Sequence, residues 1–315
     1  MERPSATPAL AGVLLSAVLM LAGCATPQVA ALLAQPPGAL PPRIELAAVP
    51  FHPQDEYQCG PAALATTLTY AGAATTPDAL VPLVYLPARK GSLQAEMLAA
   101  ARSHELTAYL LAPSLGDLLQ EVADGTPVIV LLNLAFEFAP LWHYAVVVGY
   151  DLPREEIILR SGTTRRLVTT LSNFERTWAR GNHWAMVTLP PERLPASASE
   201  DRYVAAVTAL ERAVPAAARR AYTTALERWP DSLPARIGQG NAAYAMRDLP
   251  GAEAAYREAT RRHPQAADAW NNLAQALLEL QQRHEALAAA QRAVDIGGPR
   301  LAQYQATLRA IAASQ

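Results

Sequence analysis

Cysteine is nearly absent from this sequence. Cys24 and Cys59 are the only two in 315 residues. Charge of either sign is also thin, with a formal net charge of −2 and no basic cluster. The 26 Lys and Arg residues are almost all Arg, a bias of composition rather than a patch. A nucleic-acid partner is therefore not expected. The six histidines are scattered. His104 and His183 stand alone, and His263 and His284 lie in a repetitive region. None clusters with cysteines or acids at metal-ligand spacing, so neither a zinc site nor another cofactor is expected. Finally, no apolar run approaches the roughly 20 residues that a spanning helix needs.

What is present begins at the first residues. Arg3 precedes an apolar stretch over 9–21 that ends in Leu21-Ala22-Gly23-Cys24. A short apolar stretch closed by small residues reads as a signal peptide, 1–23. Its last four residues resemble the lipobox of bacterial lipoproteins. The resemblance implies diacylation of the Cys24 thiol and cleavage before it. In lipoproteins Asp after the cysteine marks inner-membrane retention. Ala25 stands there, which implies a periplasm-facing protein of the outer membrane. Residues 24–42 hold Pro27, Pro36, Pro37, Pro41 and Pro42 and read as an extended, semi-rigid tether. Lipidation of Cys24 would leave Cys59 without a partner in the chain. An unpaired cysteine in an exported protein points to a reactive thiol or an intermolecular bond.

The chain changes character near residue 190. Over 43–190, helices are expected at 59–70, closed by Gly72, then at 94–103 and 115–122. Strands follow at 108–111, 128–134, 144–150, 157–160 and 166–169, then a helix over 172–178 and a strand over 184–189. Helices first and a mostly antiparallel sheet after them give an α+β domain. Residues 191–200, with Pro195 and several Ser and Ala, read as a linker. Beyond them the sequence repeats at an offset of 34 residues. Ala221-Tyr222, Ala225 and Pro230 recur as Ala255-Tyr256, Ala259 and Pro264. Ala218 aligns with Ala252 and Ala286, and Ala206 with Gly240 and Ala274. This pattern resembles tetratricopeptide repeats. It predicts an all-α solenoid of three helix pairs over 199–232, 233–266 and 267–300, and a last helix as cap. Such a stack presents a concave surface to a protein partner.

The chemistry concentrates in two segments. Cys59-Gly60-Pro61-Ala62-Ala63-Leu64 places a thiol at a helix start, where backbone N–H groups and the helix dipole favour thiolate. A depressed thiol pKa is therefore expected. Trp142-His143-Tyr144-Ala145-Val146-Val147-Val148-Gly149-Tyr150-Asp151 puts a histidine at the mouth of a buried strand. A Cys–His pair on opposed elements is the arrangement of an activated thiol nucleophile. The aromatics Phe136 and Phe138, near Trp142, are candidates for an apolar substrate wall.

Together these segments resemble papain-like cysteine peptidases, most closely the bacteriocin-processing branch that trims double-glycine leaders. The resemblance implies a papain-like α+β domain over 43–190. It makes Cys59 the nucleophile and His143 the general base. Gln54 would give an oxyanion-hole donor beside the Cys59 N–H, with Gln58 and His52 as alternatives. Where the family has an Asp, this chain reads Leu159-Arg160-Ser161-Gly162. Ser161 is the candidate third member, with Asp151 and Asn182 as alternatives. The function expected is peptide-bond hydrolysis at the membrane on a peptide or protein substrate. The rival is a weakened peptidase-like scaffold. Transamidation or acyl transfer by the same nucleophile is a third route, and double-glycine specificity is not expected.

Overall fold

A computed structural model describes residues 26–314 except 36, 37, 39 and 55–57. Cys24 and the expected signal peptide lie outside the described residues. Among those described, no helix is long and apolar enough to cross a membrane.

The core of the first domain is an antiparallel sheet. Its strands are β1 (Arg43–Glu45), β4 (Thr107–Leu110), β5 (Val128–Asn133), β6 (Trp142–Asp151), β7 (Glu156–Ser161), β8 (Thr164–Thr170) and β9 (Ala185–Leu189). The order is β4-β9-β5-β6-β7-β8, and β1 pairs with the far half of β6. A small hairpin of β2 (Tyr85–Leu86) and β3 (Gly91–Ser92) lies apart. Strand alternation divides the apolar residues of the central strands between two faces. Ile129, Leu131, Tyr144, Val146 and Val148 face one cluster. That cluster is covered by α2 (Cys59–Tyr70), α3 (Pro77–Val84) and α4 (Gln94–Ser103). Val128, Val130, Leu132, Ala145 and Val147 face the other, which includes α5 (Leu115–Ala123) and α6 (Leu171–Ala179). Burial on both faces explains why β5 and β6 read as continuous apolar runs.

Helix α1 (Pro27–Ala34) occupies the segment expected to be an extended tether. The reason is local. Pro27 opens the helix, where its missing N–H costs nothing. Val29 and Leu32 are buried on the body. Glu175, itself buried, accepts the free N–H groups of Gln28 (3.0 Å) and Val29 (2.8 Å).

Residues 190–200 are likewise docked. The buried Glu121 carboxylate accepts from Ala196 N (3.2 Å), Ser197 N (2.7 Å) and Ser197 Oγ (2.6 Å). Three helix pairs follow: α7 (Glu200–Glu211) with α8 (Pro215–Arg228), α9 (Leu233–Ala245) with α10 (Leu249–Arg262), and α11 (Ala267–Glu279) with α12 (Arg283–Ile296). Helix α13 (Leu301–Ala313) closes the stack. The small residues of the repeat have a steric cause. A Cβ on Gly238 would lie 2.2 Å from the Tyr222 ring, and one on Gly240 would lie 2.4 Å from the Tyr256 ring. The two tyrosines, 34 residues apart, fill the space that glycine leaves. Tyr203, Val204, Val207 and Leu210 of α7 belong to the sheet's own apolar cluster, together with the buried alanines of α8. Apart from Ala235, the later repeats contribute to clusters separate from it.

Candidate active site

Cys59 opens α2 and His143 is the second residue of β6. Both line one open cleft of about 1090 Å³. Gln54, Arg89, Ser92, Trp142, Asn182 and Trp184 line it as well. The structure thus brings Cys59, His143 and Gln54 to one cavity. Of the oxyanion candidates only Gln54 lines it. Its N–H bonds to Gly162 O (3.2 Å), which fixes it against the turn after Ser161. His52 is outside the cleft lining, with a buried Nε2 that has no partner among the described residues.

The thiol sits close against β6. Backbone N–H groups of Tyr144, Gly60 and Cys59 reach the sulfur, so it lies beside the peptide that joins His143 to Tyr144. Gly60 permits this depth: a Cβ there would meet Ser92 Oγ at 2.3 Å. Tyr144 supports the floor by donating its hydroxyl to Ser92 O (3.3 Å) and meeting the Trp184 ring edge-on at 5.7 Å.

Burial pushes the Cys59 thiol up, and the three N–H groups only partly oppose it. The expected depression by the helix start is therefore overturned: desolvation of the anion outweighs the N–H groups that favour it. Burial also pushes the His143 imidazole down. Both shifts favour a neutral thiol beside a neutral imidazole.

His143 Nε2 and Ser161 Oγ are 2.8 Å apart. Ser161 ends β7, where Gly162, at φ +57°, starts the tight turn into β8. Asp151 cannot take this place. It ends β6, eight residues from His143, about 26 Å along a strand, and its Oδ1 caps Arg154 N at 3.2 Å. Asn182 shares the cleft at φ +54°, but the hydrogen bond to the ring belongs to Ser161.

The aromatic wall is only partly as expected. Trp142 lines the cleft with Pro140 and Leu141. Phe136 and Phe138 project into solvent, 67% and 87% exposed. They are neither core nor cleft lining. The β2–β3 hairpin, which brings Arg89, Lys90 and Ser92 to the cleft, was not foreseen. The turn signal around Gly91 was its only trace, and strands of two residues leave no periodicity to read. No group of His, Cys, Asp and Glu able to hold a metal occurs among the described residues.

Residues 46–185 match the Peptidase_C39-like family model, and residues 237–300 match a tetratricopeptide repeat model. No curated protein matches. Solved structures that align include a protein described as a C39-like peptidase, from Bacillus anthracis. It shares 18% identity at a TM-score of 0.41, covering 47% of this chain and 97% of that one. The TPR2B domain of yeast Sti1, in a complex with pHsp70, aligns at 16% identity and a TM-score of 0.33. It covers 36% of this chain and 93% of its own. The chain carries a Peptidase_C39-like α+β domain followed by tetratricopeptide repeats.

Proposed function

We propose that this chain is a membrane-anchored cysteine peptidase with Cys59 as nucleophile and His143 as general base. The observation that carries the reading is the shared cleft: Cys59 beside the His143–Tyr144 peptide, with the imidazole tied to Ser161. Nε2–H donates to Ser161 Oγ, which leaves Nδ1 to take the Sγ proton. The sulfur then adds to the scissile carbonyl. The Cys59 N–H and the Gln54 amide receive the oxyanion. The imidazolium gives its proton to the leaving amine, and water hydrolyses the thioester through the same base. Cys24 holds the protein at the periplasmic face of the outer membrane, and the repeats receive a protein partner or part of the substrate.

A hydroxyl is a poorer third member than a carboxylate for a defined reason. Carboxylate oxygen only accepts, so it fixes the proton on Nε2. Serine both donates and accepts. When Ser161 donates to Nε2, the proton sits on Nδ1 and the ring cannot receive one from the thiol. Together with the raised thiol pKa, this favours a second reading, a slow or silent peptidase-like scaffold.

A peptide library digested by the purified protein and read by mass spectrometry separates the two. The peptidase reading expects cleavage that Cys59→Ala and His143→Ala each abolish, a loss of at least about 10³-fold. Absence of cleavage, with Cys59 labelled equally by a thiol electrophile with and without His143, decides for the scaffold.

A further inference from the structure

The loop joining β5 to β6 and the first residue of β6 carry the four most exposed large hydrophobic side chains among the described residues. They are Phe138 (87%), Phe136 (67%), Leu141 (59%) and Trp142 (50%). Exposed apolar side chains grouped in this way mark an interaction site. The loop is also built rather than loose. Leu134 N bonds to Leu141 O at 2.9 Å. The buried Asn133 side chain accepts from Ala135 N (3.1 Å) and Leu141 N (3.0 Å) and donates to Phe136 O (3.3 Å). Arg180 holds Asn133 O from below at 2.8 Å. At the tip the two phenyl rings stack with centroids 5.3 Å apart.

The topology says what this tip faces. Helix α1 starts at the same end of the sheet. Gln28 Nε2 donates to Pro113 O (3.2 Å), and its Oε1 accepts from Leu115 N (2.6 Å). Pro113 lies two residues after Leu111, whose N–H bonds to Ala185 O, and the residue before Ala185, Trp184, accepts through its O from Leu131 N. From Leu131 the chain runs two residues to the root of the hairpin. The other end of the α1 segment lies at the far edge, where Leu152 N meets Pro42 O. The chain thus enters the body on the hairpin's side, and Cys24 is only two positions before Thr26, at most about 7 Å of chain. A protruding convex tip suits a soft surface better than a rigid pocket. Glu137, exposed and set between the two phenylalanines in sequence, keeps the seat shallow, at the depth of lipid headgroups where aromatic side chains are at home.

We propose that the 134–142 hairpin is a bilayer-contact element that seats in the headgroup layer of the membrane holding Cys24, so that the cleft opens onto the membrane surface. This rests on the anchored reading above. The test uses the lipidated full-length protein in vesicles of phosphatidylethanolamine and phosphatidylglycerol doped with brominated lipid. Trp142 emission is isolated by subtracting the Trp142→Phe variant. Bromolipid is expected to quench that emission, since the ring would sit at the headgroup and acyl boundary. Phe136→Ser with Phe138→Ser should remove the quenching while the protein stays vesicle-bound and keeps its circular dichroism. Unquenched Trp142, or equal quenching in the double variant, overturns the proposal. Cross-linking of the tip to a second copy in place of quenching overturns it as well. Retention of Cys24→Ala on membranes would overturn the anchored reading, whereas unquenched Trp142 in a vesicle-bound protein overturns the hairpin proposal alone.

Discussion

At the residue scale, the site turns on one hydrogen bond and two opposed pKa shifts. Cys59 and His143 were legible in the sequence because each carries a local motif: a thiol before Gly-Pro at a helix start, and a histidine at the head of an apolar strand. The direction of the thiol shift was not legible. Helix position is written in the sequence, but desolvation depends on how closely β6 covers the sulfur, and that is a tertiary fact. Alkylation requires the thiolate. With the thiol pKa raised, the fraction ionised at pH 7 is below that of an ordinary cysteine, whose pKa is about 8.5. Alkylation of Cys59 should therefore be slow at neutral pH and climb through a range above that of a free thiol. Ser161→Asp should move this profile down by roughly one pH unit or more, because a carboxylate beside the imidazole favours its protonated form and fixes its tautomer. Ser161→Ala should shift it little. A profile for the intact protein at or below that of a free thiol would contradict the burial argument. An unmoved Ser161→Asp profile would show that Ser161 does not govern the ring.

At the scale of elements, sequence patterning located the long helices and strands but missed how the connecting segments are fastened. Proline at 27, 36, 37, 41 and 42 suggests an extended tether, yet the eight residues Pro27–Ala34 form α1. What patterning could not supply was the partner, a buried glutamate 146 residues from Val29. Glu175 caps α1 from outside, just as Glu121 holds Ser197. Burial pushes the Glu121 carboxyl up against the lowering effect of the Ser197 bonds, so its anchorage rests on the N–H groups it accepts. For α1 the consequence is measurable. Glu175→Ala removes a charged acceptor from two backbone N–H groups and should cost about 1–3 kcal/mol. Limited proteolysis should then cut the α1 segment before any other part of the body. Unchanged protection of that segment in Glu175→Ala would mean that Val29 and Leu32 hold the helix unaided.

At the scale of the whole molecule, the boundary between the two architectures is not where composition changes. The sequence turns Ala- and Arg-rich after residue 190, and the helix pairs do begin there. The apolar contacts divide later. Tyr203, Val204, Val207 and Leu210 pack into the sheet's cluster, as do the α8 alanines Ala217, Ala218, Ala221 and Ala225. Apart from Ala235, which joins the sheet's cluster, the second and third pairs contribute to clusters separate from it. By this packing the first helix pair is a wall of the peptidase-like domain as well as the first repeat. Removing everything after Leu189 would expose the face that α7 covers. Its four buried side chains are each worth roughly 1.5–3 kcal/mol, together about 6–12 kcal/mol. That rivals the entire 5–15 kcal/mol stability of an ordinary domain. A chain ending at Leu189 should therefore be recovered unfolded or aggregated. A chain ending at Ser232, which keeps α7 and α8, should fold with a cooperative urea transition and retain the Cys59 alkylation profile of the full protein. Protease should spare 190–200 in the intact molecule, since Glu121 and α7 both hold it. A Leu189 truncation that unfolds cooperatively at the same urea concentration as the Ser232 truncation would place the boundary back at the proline-rich segment and reduce α7 to a neighbour.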